Sequence, residues 1–344
     1  MSDTPRSAFR VPPSAFQNSQ SGVDRRGILR LGAAAGLAAL LGRQATGAAD
    51  AKTRVVAAVG RKVFADGGAP RAEAVRPLVD AAVASLLEEK RPADAWRRLV
   101  KPGDLVGIKV NCLAGERLST RIEVVRAIAD SVMDAGVPRD RIVVWDRKRD
   151  DLVRARYPVA DRSGFICAGN DDAGYSERLI MQGEIGSMFS RLVTEHCSVI
   201  INVPVFKDHD LAGVSLALKS AFGAIHNPNK YHLGNLQQAI VDVNRVQCLR
   251  AKTVIHICDA LFGCYNGGPK PVPRWLERFG TIYASRDPVA LDATAWRKME
   301  ELRKARDLPS LVGSKREPKH IALGAENRLG TNDPAQIEVV NIEV

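Results

Sequence analysis

Four side chains that carry charge or move protons stand together in "NVPVFKDHD": Lys207, Asp208, His209 and Asp210, directly after an apolar run. A lysine at such a place can fix an anion. A histidine beside it suits general acid–base work, because an unperturbed imidazole titrates near neutral pH. The carboxylates can serve as helix caps or as cation ligands. Lys219, His226 and His232 follow in "VSLALKSAFGAIHNPNKYH". The two histidines are six apart across a turn-like "NPNKY", unlike the four-residue spacing of a helical metal pair, and they stand as candidate ligands for a divalent metal. Each residue has a plain alternative. Lys207 and Lys219 could pair with surface carboxylates, where an ion pair contributes little. His209 could simply be exposed.

These residues need elements to position them. "GDLVGIKVN" predicts a buried strand over Asp104–Val110, "TRIEVVRAIADSVMDAG" a helix opened by a Thr120–Glu123 capping box, and "RIVVWD" a second strand. Strand, helix and strand over this length form a βαβ unit, which implies a parallel sheet with a right-handed crossover. "SVIINVPVF", "TVIHICDA" and "TIYAS" predict three more strands, and Asp287 with Pro288 predicts the cap and first turn of a helix. "RVVAAV" predicts a strand near the start, the stretch from Ala72 to Lys90 a helix, and "QIEVVNIEV" an edge strand. The expected fold is α/β, a mostly parallel open sheet with helices on both faces. Residues 52–344 read as one such domain, with an irregular insertion at about 147–194. Ligands of open parallel sheets bind beyond the carboxyl ends of the strands. That places Asn111 and Cys112, Asp146, Lys207 to Asp210, Asp259 and Asp287 at one edge. After Gly213, apolar residues at helical spacing predict a helix whose N-terminus would favour an anion, although "VSLAL" also alternates like a strand.

The chain has 344 residues and a net charge of +11, with 45% hydrophobic and 26% charged residues, the balance of an ordinary globular protein. The basic surplus favours anionic ligands. No Arg/Lys block with interleaved aromatics is present, so nucleic acid is not an expected partner. Residues 1–51 read as an export signal and tail: Arg25 and Arg26 precede an apolar run from Ile28 to Leu41, and small residues follow. The paired arginines resemble a twin-arginine signal, which implies the twin-arginine translocation machinery as a partner, a periplasmic destination, and membrane attachment only if the signal is uncleaved. Six cysteines show no C-x-x-C spacing, so a ferredoxin-type iron–sulfur cluster is not expected, and disulfides stay open. P-loop, Rossmann, G-x-S-x-G and H-E-x-x-H motifs are absent.

Taken in order, "VGIKVN", "INVPVFKDHDLAGVSLALKSAFGAIHNPNKYH", "CDAL…GGP" and "DPVALD" resemble the domain-of-unknown-function 362 family, from about Val106 to Asp292. The resemblance implies the α/β fold but no general activity. Some relatives are fused to ferredoxin-like modules, whose cysteine clusters this chain lacks. The leading expectation is an exported enzyme acting on a small anionic substrate, with a divalent metal as an optional cofactor. Lys207 and Lys219 would fix the anion and His209 would be general acid or base. Asn111, Asp146 and Asp259 would orient substrate or a cation. The alternatives are a non-catalytic periplasmic binding protein, or a redox accessory protein whose Cys112, Cys258 and Cys264 hold a cofactor.

Overall fold

The computed structural model describes residues 52–159 and 165–344. The signal-like segment lies outside the described residues. The body from Thr53 to Val344 is built on one sheet. Its strands are β1 (Thr53–Val59), β2 (Val106–Val110), β3 (Ile142–Asp146), β4 (Ile166–Gly169), and, after a small β5–β6 hairpin (Ile180–Gln182 and Ile185–Ser187), β7 (Val199–Val203), β8 (Val205–His209), β9 (Gly213–Val214), β10 (Thr253–Cys264), β11 (Leu276–Ser285) and β12 (Ile337–Glu343). Across the sheet the order is β12-β1-β11-β10-β7-β2-β3-β4. From β10 to β4 every pairing is parallel. β12 and β1 run parallel to each other, and β11 is antiparallel to both its neighbours. The fold is therefore α/β with a mostly parallel sheet.

Helices α1 (Ala72–Leu86) and α2 (Ile122–Asp134) cover one face. Alternation in β1 shows how: Val56 and Ala58 join the main core with Leu78, Val79 and Ile128, while Val55 and Ala57 are buried outside that cluster. The site also depends on helices α3 (Ala217–Ser220), α4 (Leu236–Arg245), α5 (Pro288–Lys304) and α6 (His320–Glu326). Asp287 caps α5 as its sequence predicts, accepting from the Val289 and Ala290 amides. Because β11 is antiparallel, however, Asp287 lies at the sheet edge opposite the other strand ends, not among them.

Four further expectations change. The strand expected over Ser198–Phe206 breaks at Pro204, which has no N–H for a ladder; β8 then leaves β7 and pairs with β10. Lys207 and His209 are thus strand residues, not loop residues. The Thr120–Glu123 capping box does not form. Thr120 instead donates through Oγ1 to the Val203 carbonyl and accepts from the Asn111 amide, so α2 starts later with Arg121 at its cap. Ile166–Gly169, inside the stretch expected to be irregular, is the outer sheet strand β4; four residues are too few to show a period. The helix expected after Gly213 shortens to Ala217–Ser220 followed by a 3-10 turn, with β9 before it.

Candidate functional site

Period-two alternation along β8 resolves the Lys-Asp-His-Asp run. Lys207 and His209 face one cleft. Asp208 points the other way and accepts from the Gly267 and Gly268 amides at 3.0 and 2.6 Å and from Arg316 at 2.8 Å, so it holds the "NGGP" loop and is scaffold. Asp210 is exposed.

The cleft is a cavity of about 90 Å³ beyond the carboxyl ends of β2, β3 and β8. Asn111, Asp146, Lys207, His209, Lys219 and His232 all line it, so most residues expected to share a site do. Lys109, Arg147, Asp151, Ser215, Ser220 and Phe222 line it too and were not anticipated. Lys109 carried a signal: a lone charge inside the apolar strand "VGIKV". It is almost fully buried, and its Nζ donates to Asp146 Oδ1 at 2.9 Å and to the Val110 carbonyl at 2.6 Å. Asp146 Oδ2 accepts the Cys112 amide at 2.7 Å. Gly223 permits this close packing, since a Cβ there would lie 2.6 Å from Lys109 Cε and 3.2 Å from Asp146 Oδ1.

Charges in the cleft do not cancel. Asp146 is matched by Lys109, and Asp151 by Arg147 and Arg154. Among the described residues no carboxylate forms an ion pair with Lys207 or Lys219. Lys207, 0% exposed, donates to Asn111 Oδ1 at 2.9 Å and to the Leu118 carbonyl at 3.3 Å. Burial lowers its ammonium to about 8. Lys219 sits 4.4 Å from the Phe222 ring centroid and 3.4 Å from His232 Nε2, and burial, with Arg147 and Lys207 adding, lowers it to about 7. His232 Nδ1 lies 3.1 Å from the Pro228 carbonyl; a carbonyl only accepts, so Nδ1 carries the proton and Nε2 offers its lone pair to Lys219.

His209 does not sit where an acid–base imidazole would. Its Nδ1 is 3.1 and 3.2 Å from the Leu211 and Ala212 amides, which can only donate. Asp210 Oδ1 also lies 2.9 Å from that nitrogen, an arrangement that would ask Nδ1 to donate. The Ala212 amide decides, because its N–H can only donate to Nδ1, while the Leu211 N–H is shared between Nδ1 and the exposed Asp210 carboxylate at 2.9 Å. Burial first, then the positive charges of the cleft, lower His209 to about 2, so the ring is neutral at physiological pH.

Two expected members lie apart. Asp259, 1% exposed, is not at the cleft surface: its oxygens accept the Arg121 amide at the entry of α2 and the Leu261 amide. His226 is exposed and packs edge-to-face on Tyr175, so it does not join His232 as a ligand pair. Among the described residues no three His, Cys, Asp or Glu side chains cluster as a metal set. Cys112, Cys258 and Cys264 are fully buried free thiols, and Cys112 and Cys264 belong to separate apolar clusters. The predicted anion seat at the helix N-terminus is already filled from within, because Asp292 of α5 accepts the Ala217 and Leu218 amides at 2.7 and 2.9 Å.

Fold and site together define an α/β protein with a cationic cleft at the carboxyl edge of its sheet. The family model of a domain of unknown function, DUF362, matches residues 106–297, more than half of the chain, and the chain belongs to that family. A thylakoid-associated protein of Synechocystis sp. (strain ATCC 27184 / PCC 6803 / Kazusa) is 28% identical over 232 residues, covering 61% of this chain and 67% of that protein. A crystal structure of a Thermotoga maritima protein from the Northeast Structural Genomics Consortium aligns with a TM-score of 0.33 at 10% identity, over 69% of this chain and 59% of that one. A likeness at that level carries no argument. Among the described residues no helix is long and apolar enough to cross a membrane.

Proposed function

We propose that the chain is an enzyme that binds a small anion in this cleft, with Lys207 and Lys219 holding its charge and the Lys219–His232 pair moving a proton. One observation carries the reading: Lys207, fully buried, and Lys219, half-buried, line a single cavity, and among the described residues no carboxylate forms an ion pair with either. Burying an uncompensated charge is costly, and a bound anion removes that cost. His209 takes a different role from the one its type suggests, as a neutral ring whose Nε2–H donates to the ligand. The donor set favours an anion over a divalent cation, because His209 and His232, with ring centroids 5.9 Å apart, share the cleft with Lys207 and Lys219. A binding protein without turnover would use the same seat. The contact of an amine with a histidine lone pair at 3.4 Å favours proton transfer and hence an enzyme. We further propose export by the twin-arginine route, on the strength of Arg25 and Arg26 before the apolar run.

Calorimetric titration of sulfate and lactate at pH 6.5 tests the seat. Wild type should bind at least one of them. Lys207→Met should bind it roughly tenfold to a hundredfold more weakly, the loss of one charge-assisted hydrogen bond of about 1.5–3 kcal/mol. Unchanged affinity in the Lys207→Met/Lys219→Met double variant would remove the proposal.

A further inference from the structure

We propose that Lys219 is a Schiff-base lysine, so that the anion bound here is a small carbonyl compound, a 2-oxo acid being the simplest member of the class. This rests on the anion-binding reading above and names the substrate class of the same site.

Three lysines line the cleft, and only one has an amine that is not committed to an oxygen acceptor. Lys109 Nζ is held by Asp146 and the Val110 carbonyl, and Lys207 Nζ by Asn111 and the Leu118 carbonyl. Lys219 Nζ touches an aromatic face and one imidazole nitrogen. That nitrogen is a fixed acceptor, since His232 Nδ1–H is spent on the Pro228 carbonyl. Desolvation beside Lys207 and Arg147 brings the amine to about 7, so a large fraction is free base at neutral pH. Ser220 completes the set. It lines the cleft, and its buried hydroxyl has no hydrogen-bond partner among the described residues. An unsatisfied buried hydroxyl costs stability unless a ligand oxygen meets it.

The chemistry balances without an oxidant or reductant. Lys219 passes its ammonium proton to His232 Nε2. The freed lone pair attacks the carbonyl carbon, forming the C–N bond as the C=O pair moves to oxygen, which the Ser220 hydroxyl meets. The two hydrogens left on nitrogen depart with that oxygen as water, giving C=N. The proton on His232 returns to make the protonated imine. The carboxylate of the 2-oxo acid is held by Lys207 throughout, and the iminium then withdraws electrons from the adjoining bonds.

The test is reductive trapping of the full-length protein with pyruvate and cyanoborohydride at pH 7, read by peptide mass spectrometry, with sulfate and lactate calorimetry in parallel. The expected result is a saturable reduced adduct on Lys219, formed about tenfold or more faster than on exposed Lys270, which lies outside the cleft. Sulfate should slow the trapping, and Lys219→Arg should abolish the adduct while keeping the wild-type melting temperature within a few degrees. Anion binding with no preferred Lys219 adduct would overturn the Schiff-base assignment and leave the anion seat standing. Failure of sulfate, lactate and pyruvate alike to bind would overturn both.

Discussion

At the residue scale, burial sets the behaviour of the cleft lysines. Lys207 and Lys219 titrate near 8 and 7 in the folded protein against the usual 10.5. Between those folded values and 10.5 the unfolded chain holds more protons than the native one, so stability rises with pH over that window. Chemical denaturation from pH 6.5 to 10 should show this rise, and Lys219→Met should flatten its lower part. A wild-type curve falling across the window would contradict the depressed lysines. Gly223→Ala is expected to separate Lys109 from Asp146, since the new Cβ meets Lys109 Cε at 2.6 Å. The stranded buried carboxylate should cost about 3–5 kcal/mol on thermal or urea unfolding. A variant as stable as wild type would mean that the pair relaxes freely.

Individual elements separate carboxylates that build the scaffold from those that could meet a ligand. Asp259 accepts the Arg121 amide at the entry of α2 and the Leu261 amide of β10, and Asp292 accepts two buried amides at the entry of α3. Asp259→Ala should therefore lower stability by about 1–3 kcal/mol per stranded amide while leaving sulfate affinity within twofold. Asp292→Ala should lower both, because α3 carries Lys219. A loss of affinity in Asp259→Ala without loss of stability would return that residue to the site. The strand ends before Asn111 and at Asp146 were legible in the sequence because apolar runs stop abruptly there, and parallel order collects such ends at one edge; the run before Lys207 misled, because Pro204 breaks it and a new strand carries Lys207. What was not legible depended on distant partners. The short "TIYAS" run carries no sign of its antiparallel direction, and Thr120 is drawn from its expected capping role by the Val203 carbonyl of another strand. Nor could local spacing reveal that Asp292, far along the chain, fills the α3 N-terminus, or that two amides hold His209 Nδ1.

For the whole molecule, the fold gathers basic residues from β2, β8 and α3, with Arg147 just after β3, at one cleft, and the chain as a whole carries +11. A field of that sign speeds capture of anions and weakens with salt. The proposed twin-arginine route predicts that changing Arg25 and Arg26 together to Lys leaves the folded protein in the cytoplasm; cell fractionation showing normal delivery would refute the route. The central claim, an anion seat on two underprotonated lysines, meets its most direct test in proton linkage. Sulfate or lactate should be titrated calorimetrically at pH 8 in two buffers of different ionisation enthalpy; neither ligand changes protonation there. Because the bound anion favours the charged lysines, binding should take up a substantial fraction of a proton, and affinity should fall as pH rises from 7 to 9. Binding with no proton uptake and a flat pH dependence would contradict the account.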